Sequence, residues 1–285
     1  MQYSLALSTI ASSIGGGSTS KEGSNFTPPH PDKQGNKSII KKKLFFFIHK
    51  RFGGSIRFFA SGGAYLPPRI IYDFMCIGIP IVQGYGLTES SPILACNSMR
   101  QNRPGSVGLP VPGVEVKLND ANREGIGEII ARGPNIMKGY YRKEKETAEI
   151  LRGGWLYTGD VGIMDEDGYV YLIDRRKDMI ISGGENIYSR EVEDVLYQHP
   201  AVADAAVIGV PDEKWGESVK AIVVLKEGMK ATEQELIDFC KARLASYKKP
   251  KSVEFYDSVP KTATGKIKKA EIREKYWAGK TRRIN

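Results

Sequence analysis

Hydrophobic residues are thinly scattered over the first 40 positions and gather into short rhythmic runs after them. Residues 55–60 read as a strand, with Ile56, Phe58 and Phe59 as its apolar positions, running into the turn Ser61-Gly62-Gly63-Ala64. Beyond Pro67-Pro68, Ile70, Ile71 and Phe74 recur at helical spacing. Residues 80–83 form the next strand-like run and end at Gly84. Strand, loop, helix, strand, loop is the order of a parallel sheet with ligand loops at its strand ends. From 105 to 175 the runs shorten and glycine and proline punctuate them: Val107, residues 114–118, 127–130 and 169–173. Asp165-Glu166-Asp167-Gly168 reads as a hairpin turn and lacks the spacing of a calcium-binding loop.

A different alternation begins at Lys177. Ser189 is placed to cap a helix with Val192, Val195 and Leu196 on its apolar face, and Pro200 stops it. Residues 202–210 and 219–225 are buried-strand runs. Thr232-Glu233-Gln234-Glu235 fits a capping box and opens a helix presenting Leu236, Phe239, Cys240 and Leu244. A short strand over 253–256 and a last helix over 269–277 complete the pattern. The expected fold class is α/β and α+β multidomain. Residues 51–104 form an incomplete parallel α/β segment, 105–177 a small strand-rich subdomain and 178–285 an α+β lid domain.

Residues 1–50 are expected to be a poorly specified, flexible arm, with order beginning near Arg51. The stretch from Ser12 to Ser20 is rich in Ser and Gly, and Thr27-Pro28-Pro29-His30-Pro31 has no periodicity. The run Leu44-Phe45-Phe46-Phe47-Ile48 is too short to span a bilayer. Its basic flanks allow at most peripheral membrane contact, and a buried strand or helical turn is favoured.

Composition narrows the partners. The chain has 285 residues, 41% of them hydrophobic, enough for real cores. Cys76, Cys96 and Cys240 have neither zinc spacing nor a disulfide framework, and no signal peptide is visible, so a reducing cytoplasmic location is expected. The formal charge of +9 is uneven: residues 1–55 carry net +6, 56–240 net −7 and 241–285 net +10. A basic tail suits nucleic acid, but equally ATP or the phosphates of coenzyme A, and no zinc finger or RNP-like aromatic pattern favours nucleic acid. His30, His49 and His199 do not group as a catalytic or metal set, and no nucleophile-elbow motif occurs.

Candidate chemistry centres on Gly84-Tyr85-Gly86-Leu87-Thr88-Glu89. Glycines free the backbone, Tyr85 can stack on a base, Thr88 can donate to phosphate and Glu89 can help hold magnesium; a rigid turn with an exposed acid is the alternative. The paired Gly62 and Gly63, followed by Ala64, serve either a tight turn or close backbone approach to a planar ligand. Asp160, read as lying in a loop, can accept ribose hydroxyls. Arg175, just past a strand end, can share the ribose or neutralise phosphate, and Asp178 marks a hinge between composition blocks. Lys266 follows Gly265 in a mobile loop, where its ammonium can stabilise charge on a transferring phosphorus centre. Otherwise it is one of fourteen bases in the tail.

In this order the motifs resemble the acyl-CoA synthetase branch of the adenylate-forming superfamily, over residues 51–277. RFFASGGAYLPP is similar to that family's adenine-side loop, and GYGLTESSP to its central motif. The resemblance implies that Tyr85 flanks adenine, Thr88 contacts phosphate and Glu89 binds magnesium. GWLYTGD implies Asp160 on the ribose. DRRKDMIISGGENIYSREVE implies Arg175 on the ribose, the hinge at Asp178, and a turn at Gly183 and Gly184 that reaches the pantetheine channel. PKTATGKIKK implies Lys266 as the adenylation lysine. Asp174 stands where the family often has glycine. The implied activity is ATP- and Mg2+-dependent conversion of a carboxylic acid, a fatty acid by expectation, to an acyl-adenylate and then a coenzyme A thioester.

The family carries a long segment ahead of the position of Arg51, including a Ser/Thr/Gly-rich loop that grips the β- and γ-phosphates. Ser12 to Ser20 has a similar composition without the following Pro-Lys and reads as a decoy. The chain is therefore expected to be the back portion of such an enzyme. A separate chain supplying the front half is an expected partner, and 51–100 is expected to be unstable alone, because a sheet stripped of most strands exposes apolar faces and open edges. Two readings stay open beside the ligase: a nucleotide-binding fragment without turnover unless complemented, and a basic nucleic-acid-binding module. Met75, Cys76, Ile77, Ile93 and Leu94 can border an acyl pocket, but core positions are favoured.

Overall fold

The computed structural model describes residues 45–263 and 265–279; the Ser12–Ser20 stretch and most of the expected arm lie outside them. Order starts earlier than Arg51, with helix α1 (Phe46–Arg51). The apolar run is thus a helical turn as expected, but it is not buried. Phe46 and Phe47 are 57% and 81% exposed, and His49 is the buried residue, with Nε2 2.7 Å from the Ile77 carbonyl. Phe52 meets Phe59 edge-on at 5.4 Å, and Phe59 meets Phe74 at 5.7 Å. This aromatic trio ties the segment after α1 to strand β1 (Phe59–Ser61) and helix α2 (Pro68–Cys76).

β1 is shorter than the expected 55–60 and starts later. A strand needs a neighbour, and β2 (Ile81–Tyr85) begins only after Pro80. The parallel register pairs Phe59 with Ile81, Ala60 with Val82 and Ser61 with Gln83. Positive φ at Gly53 and Gly54 turns the chain just before. β2 runs past Gln83 because β3 (Ala95–Cys96) folds back on Gly84 and Tyr85. β4 (Leu109–Pro110) adds the last strand of a sheet ordered β1-β2-β3-β4. Among the described residues β1 has an open outer edge.

A second sheet has the order β5-β6-β8-β7, with β9 paired to β8. Its members are β5 (Glu115–Asn119), β6 (Gly127–Arg132), β7 (Leu151–Arg152), β8 (Trp155–Met164) and β9 (Val170–Arg175), with helix α3 (Glu144–Ile150) before β7. The core beneath joins Tyr85, Leu94, Val107, Ile129, Ala131 and Val170. Val107 is not in a strand, although its N–H donates to Val170 O at 2.8 Å. The acidic turn is the expected hairpin: Gly168 N donates to Asp165 O at 2.9 Å. The Asp165 carboxylate is consumed by Arg103, by the Tyr171 hydroxyl at 2.9 Å and by the Tyr169 N–H at 2.9 Å. No cluster of three His, Cys, Asp or Glu residues suited to a metal occurs among the described residues.

The C-terminal part is an α+β layer. Its strands are β10 (Ile180–Ser182), β11 (Glu185–Ile187), β12 (Val202–Asp212), β13 (Gly216–Leu225) and β14 (Ser252–Phe255). They form the order β11-β10-β13-β12, with β14 parallel to β13. The helices are α4 (Ser189–Leu196), α5 (Glu233–Lys241) and α6 (Lys269–Trp277). Side-chain alternation splits the sheet. Ala205, Val207, Ala221 and Val223 share a cluster with Val192, Leu196, Leu236 and Cys240 of α4 and α5. Ala206, Ile208 and Ile222 share another with Ile272 of α6. Thr232 and Glu235 form the expected capping box, worth about 1 kcal/mol. Ser189 does not cap α4: its hydroxyl donates to Asp174 at 2.7 Å. α5 ends at Lys241, so Leu244 packs on the cluster from beyond the helix.

The chain forms two compact units. The first runs through Thr158 and takes Gly162–Leu172; the second holds Gly159–Val161 and Ile173 onward. The crossing at Leu172/Ile173 lies ahead of the expected 177/178 boundary, because Asp174 and Asp178 bond into the second unit. No helix among the described residues is long and apolar enough to cross a membrane.

Candidate active site

In the first unit, the parallel strands β1 and β2 deliver two glycine turns side by side. A Cβ on Gly62 would stand 3.3 Å from Gly84 O, and Gly62, Gly63 and Ala64 are exposed there. A Cβ on Gly86 would meet Pro92 O at 1.8 Å, so only glycine fits the crossing of this loop with the chain that returns from it. Thr88 and Glu89 lie in a 3-10 turn, Thr88–Ser90. Ser90, fully buried, accepts from Leu87 N and donates to Leu87 O, both at 2.9 Å. Thr88 is exposed and Glu89 half-buried. Tyr85 is 7% exposed and packed in the core.

Two residues that sequence reading missed hold this turn. Asn135 Nδ2 donates to Ser90 O and Ile93 O, both at 2.8 Å. The Tyr140 hydroxyl donates to Glu89 Oε1 at 2.6 Å, while Met137 N donates to Glu89 O at 2.8 Å. Hydrogen bonding to the Glu89 carboxylate, with burial second, pushes the Tyr140 phenol up to about 12, so it remains a donor throughout the neutral range. Neither residue has a periodicity or spacing signal; the partners lie far apart in sequence. Glu89 and Tyr140 border a cavity of about 90 Å³ with Leu87, Ile150, Leu156, Tyr157 and Thr158. That is far below the roughly 300 Å³ of an ordinary ligand pocket.

The donor set fits magnesium carried by a nucleotide better than a resident metal. Magnesium is commonly held by one or two carboxylates together with phosphates and waters. Glu89 offers one oriented carboxylate, and the described residues contain no three-ligand cluster.

Of the acyl-pocket candidates, Leu94 is core, but Cys76 is exposed and Ile93 is 44% exposed, against the expectation of core positions. Leu94 N donates to Tyr85 O at 2.8 Å just ahead of β3.

The remaining candidates belong to the second unit. Asp160 is inside strand β8, not in a loop, immediately after Gly159 with φ +71°. Arg175 ends β9 and is exposed; its N–H donates to Asp174 Oδ1 at 2.8 Å. Asp178 is buried and paired to Arg273 at 2.6 Å. Gly183 and Gly184, with φ of +61° and +87°, make the two-residue turn of the β10–β11 hairpin. Gly183 N donates to Trp215 O at 2.9 Å, and a Cβ on Gly183 would stand 2.7 Å from the Trp215 ring. Lys266 closes a tight turn: Thr262 N donates to Lys266 O at 2.8 Å, and Lys266 N donates to Thr262 Oγ1 at 3.1 Å. Its backbone is thus tied where a mobile loop was expected.

Comparison with known proteins matches this arrangement to one family in two parts. The family described as AMP-binding enzyme matches residues 28–141, and AMP-binding enzyme C-terminal domain matches 191–266. The chain is 48% identical to a long-chain-fatty-acid–CoA ligase of Bacillus subtilis, over 77% of this chain and 41% of that protein. It is 45% identical to a feruloyl-CoA synthase of Amycolatopsis, over 78% of this chain and 47% of that protein. Among solved structures, ATP-bound MatB from Rhodopseudomonas palustris aligns with TM-score 0.75 and 34% identity, covering 86% of this chain and 50% of that one. The o-succinylbenzoate CoA synthetase of Bacillus subtilis, in complex with its acyl-adenylate intermediate, aligns with TM-score 0.71 and 37% identity over 81% and 49%. The chain thus spans about half the length of these relatives. With both parts matched in chain order across the glycine loops, the Glu89 turn and the Lys266 turn, the chain belongs to the AMP-binding, acyl-adenylate-forming superfamily.

Proposed function

We propose that the chain carries the adenylate-handling part of an ATP-dependent acid–thiol ligase. A carboxylate oxygen attacks the α-phosphorus of ATP, pyrophosphate leaves, and an acyl-adenylate forms. The thiol of coenzyme A then attacks the acyl carbon and AMP leaves. Thr88 donates to phosphate. Glu89, oriented by Tyr140, is the carboxylate for a nucleotide-borne magnesium, which neutralises phosphate charge when bound. Asp160 and Arg175 take the ribose hydroxyls, the Gly62-Gly63-Ala64 and Gly84-Tyr85-Gly86 turns border the adenine, and Lys266 offsets charge developing at phosphorus. Gly183 and Gly184, with Trp215 beside them, serve the thiol step. The observation that carries this reading is the Glu89 turn, locked by Ser90, Asn135 and Tyr140 in a conformation that presents one carboxylate.

The acid is proposed to be a fatty acid. Support comes from the Bacillus subtilis fatty-acid ligase; the feruloyl- and o-succinylbenzoate-activating relatives make an aromatic acid the competing class. The edge of β1 that is open among the described residues favours a second reading. In it, the chain binds nucleotide but turns over only when another chain completes the sheet. Incubation with ATP, magnesium and a panel of fatty and aromatic acids tests both. Pyrophosphate release, then AMP formation with coenzyme A, is expected to fall to background in Lys266→Ala and Asp160→Ala. A rate that both variants leave unchanged rejects the assignment. Turnover seen only after adding the front half of a relative selects the second reading.

A further inference from the structure

Arg175 and Lys266 are far apart in sequence, yet both lead into one buried polar chain within the second unit. Asp174, just before Arg175, takes the Arg175 N–H on one carboxylate oxygen at 2.8 Å. Its other oxygen accepts from Ser189 Oγ at 2.7 Å and from Arg190 N at 3.3 Å. Ser189, fully buried at the start of α4, accepts in turn from Lys269 Nζ at 2.7 Å. Lys269 is the first residue of α6 and adjoins the turn that carries Lys266. Lys268 N donates to Pro260 O at 2.9 Å, and Lys261 bridges to Ile267. The same ammonium holds Glu193 Oε1 at 2.7 Å, and that oxygen also takes the Val207 N–H at 2.7 Å.

The Lys269 and Glu193 side chains are only 12% and 13% exposed. An ammonium is costly to bury, and apolar residues of similar volume would stabilise such a site as well or better. What apolar residues cannot supply is a directed link to Ser189 and Asp174. One turn further along α6, Arg273 pairs with Asp178 at 2.6 Å and donates to Lys177 O at 3.2 Å. The helix is therefore pinned at two points against the segment that follows Asp174.

We propose that Lys269 is a positioning residue, whose buried ammonium fixes the Lys266 turn relative to Arg175 through Ser189 and Asp174, so that both cations meet one nucleotide. The inference rests on the reading of Arg175 and Lys266 as nucleotide contacts.

Amide hydrogen exchange of the full chain without nucleotide tests the tether. Lys269→Met, of similar length but uncharged, is expected to speed exchange roughly tenfold in two separate segments, 174–178 and 262–268. Lys269→Arg recovers most of the protection. Ser189→Ala, a mild change that keeps the Glu193–Lys269 pair, loosens the same two ends and leaves the Val207 amide protected. If Lys269→Met loosens only Val207 and its neighbours, or the whole unit uniformly, and Ser189→Ala leaves both ends as in wild type, Lys269 merely neutralises Glu193 and the proposal fails. Should Lys269→Met not fold, the Ser189→Ala result decides alone. ATP binding by the same proteins separates the underlying reading. A tether seen by exchange in a wild-type chain that binds no ATP rejects the nucleotide role given to it, whereas ATP affinity lowered in Lys269→Met and restored in Lys269→Arg supports it.

Discussion

One hydrogen bond, from the Tyr140 hydroxyl to Glu89 Oε1, orients the carboxylate proposed to meet a nucleotide-borne magnesium. A neutral donor to a carboxylate contributes about 1–2 kcal/mol to the state it orients, a factor of roughly 5–30. Tyr140→Phe is therefore expected to weaken magnesium-dependent ATP binding by that factor with little change in melting temperature. Unchanged affinity in a titration of the variant would show that Tyr140 does not orient the ligand. At this scale the sequence is a partial guide. Thr88, Glu89, Gly183 and Gly184 stand in turns, as their neighbours imply. Tyr140, Asn135 and Lys269 act through contacts across long stretches of chain, which local pattern does not encode. Ser189 has the right type and place for a cap, but a competing buried acceptor, Asp174, takes its hydroxyl. The Asp174 carboxylate secures the start of α4.

At the level of elements, α4, β12 and α6 meet on Glu193. Burial pushes its carboxyl up to about 7, even though Lys269 and the Val207 N–H favour the charged form; Asp174 adds to the rise. The sign follows from proton binding. Between about 4.5, the unfolded value, and 7, the folded state holds more protons than the unfolded chain, so stability falls as pH rises through that window. Glu193→Gln is neutral throughout. Relative to wild type, its stability is expected to rise by up to about 3 kcal/mol between pH 5 and 8, by denaturant titration. A pH-independent difference would place the carboxyl below the window. The elements themselves are largely legible. The capping box at Thr232, the buried-strand runs of β12 and β13 and the last helix all occur where pattern puts them. β1 is one exception, because its length is set by the late start of β2 after Pro80. Asp160 is another: read as lying in a loop, it sits within a ten-residue strand, just after Gly159 with φ +71°.

Across the whole molecule, motif order carries the family. The two units divide the proposed contacts: Thr88 and Glu89 lie in the first, Asp160, Arg175 and Lys266 in the second. Among the described residues, Phe46, Phe47, Phe58 and Ile70 are exposed and β1 has an open edge. The account stands on the chain's residues forming a nucleotide site, and direct binding reaches that claim without requiring turnover. Calorimetric titration of the full chain with ATP and magnesium is expected to give saturable binding of one nucleotide, weakened at least roughly tenfold by Asp160→Ala through loss of charge-assisted bonds to the ribose. Absence of saturable binding in the folded wild-type chain, or equal affinity in the Asp160 variant, would contradict it.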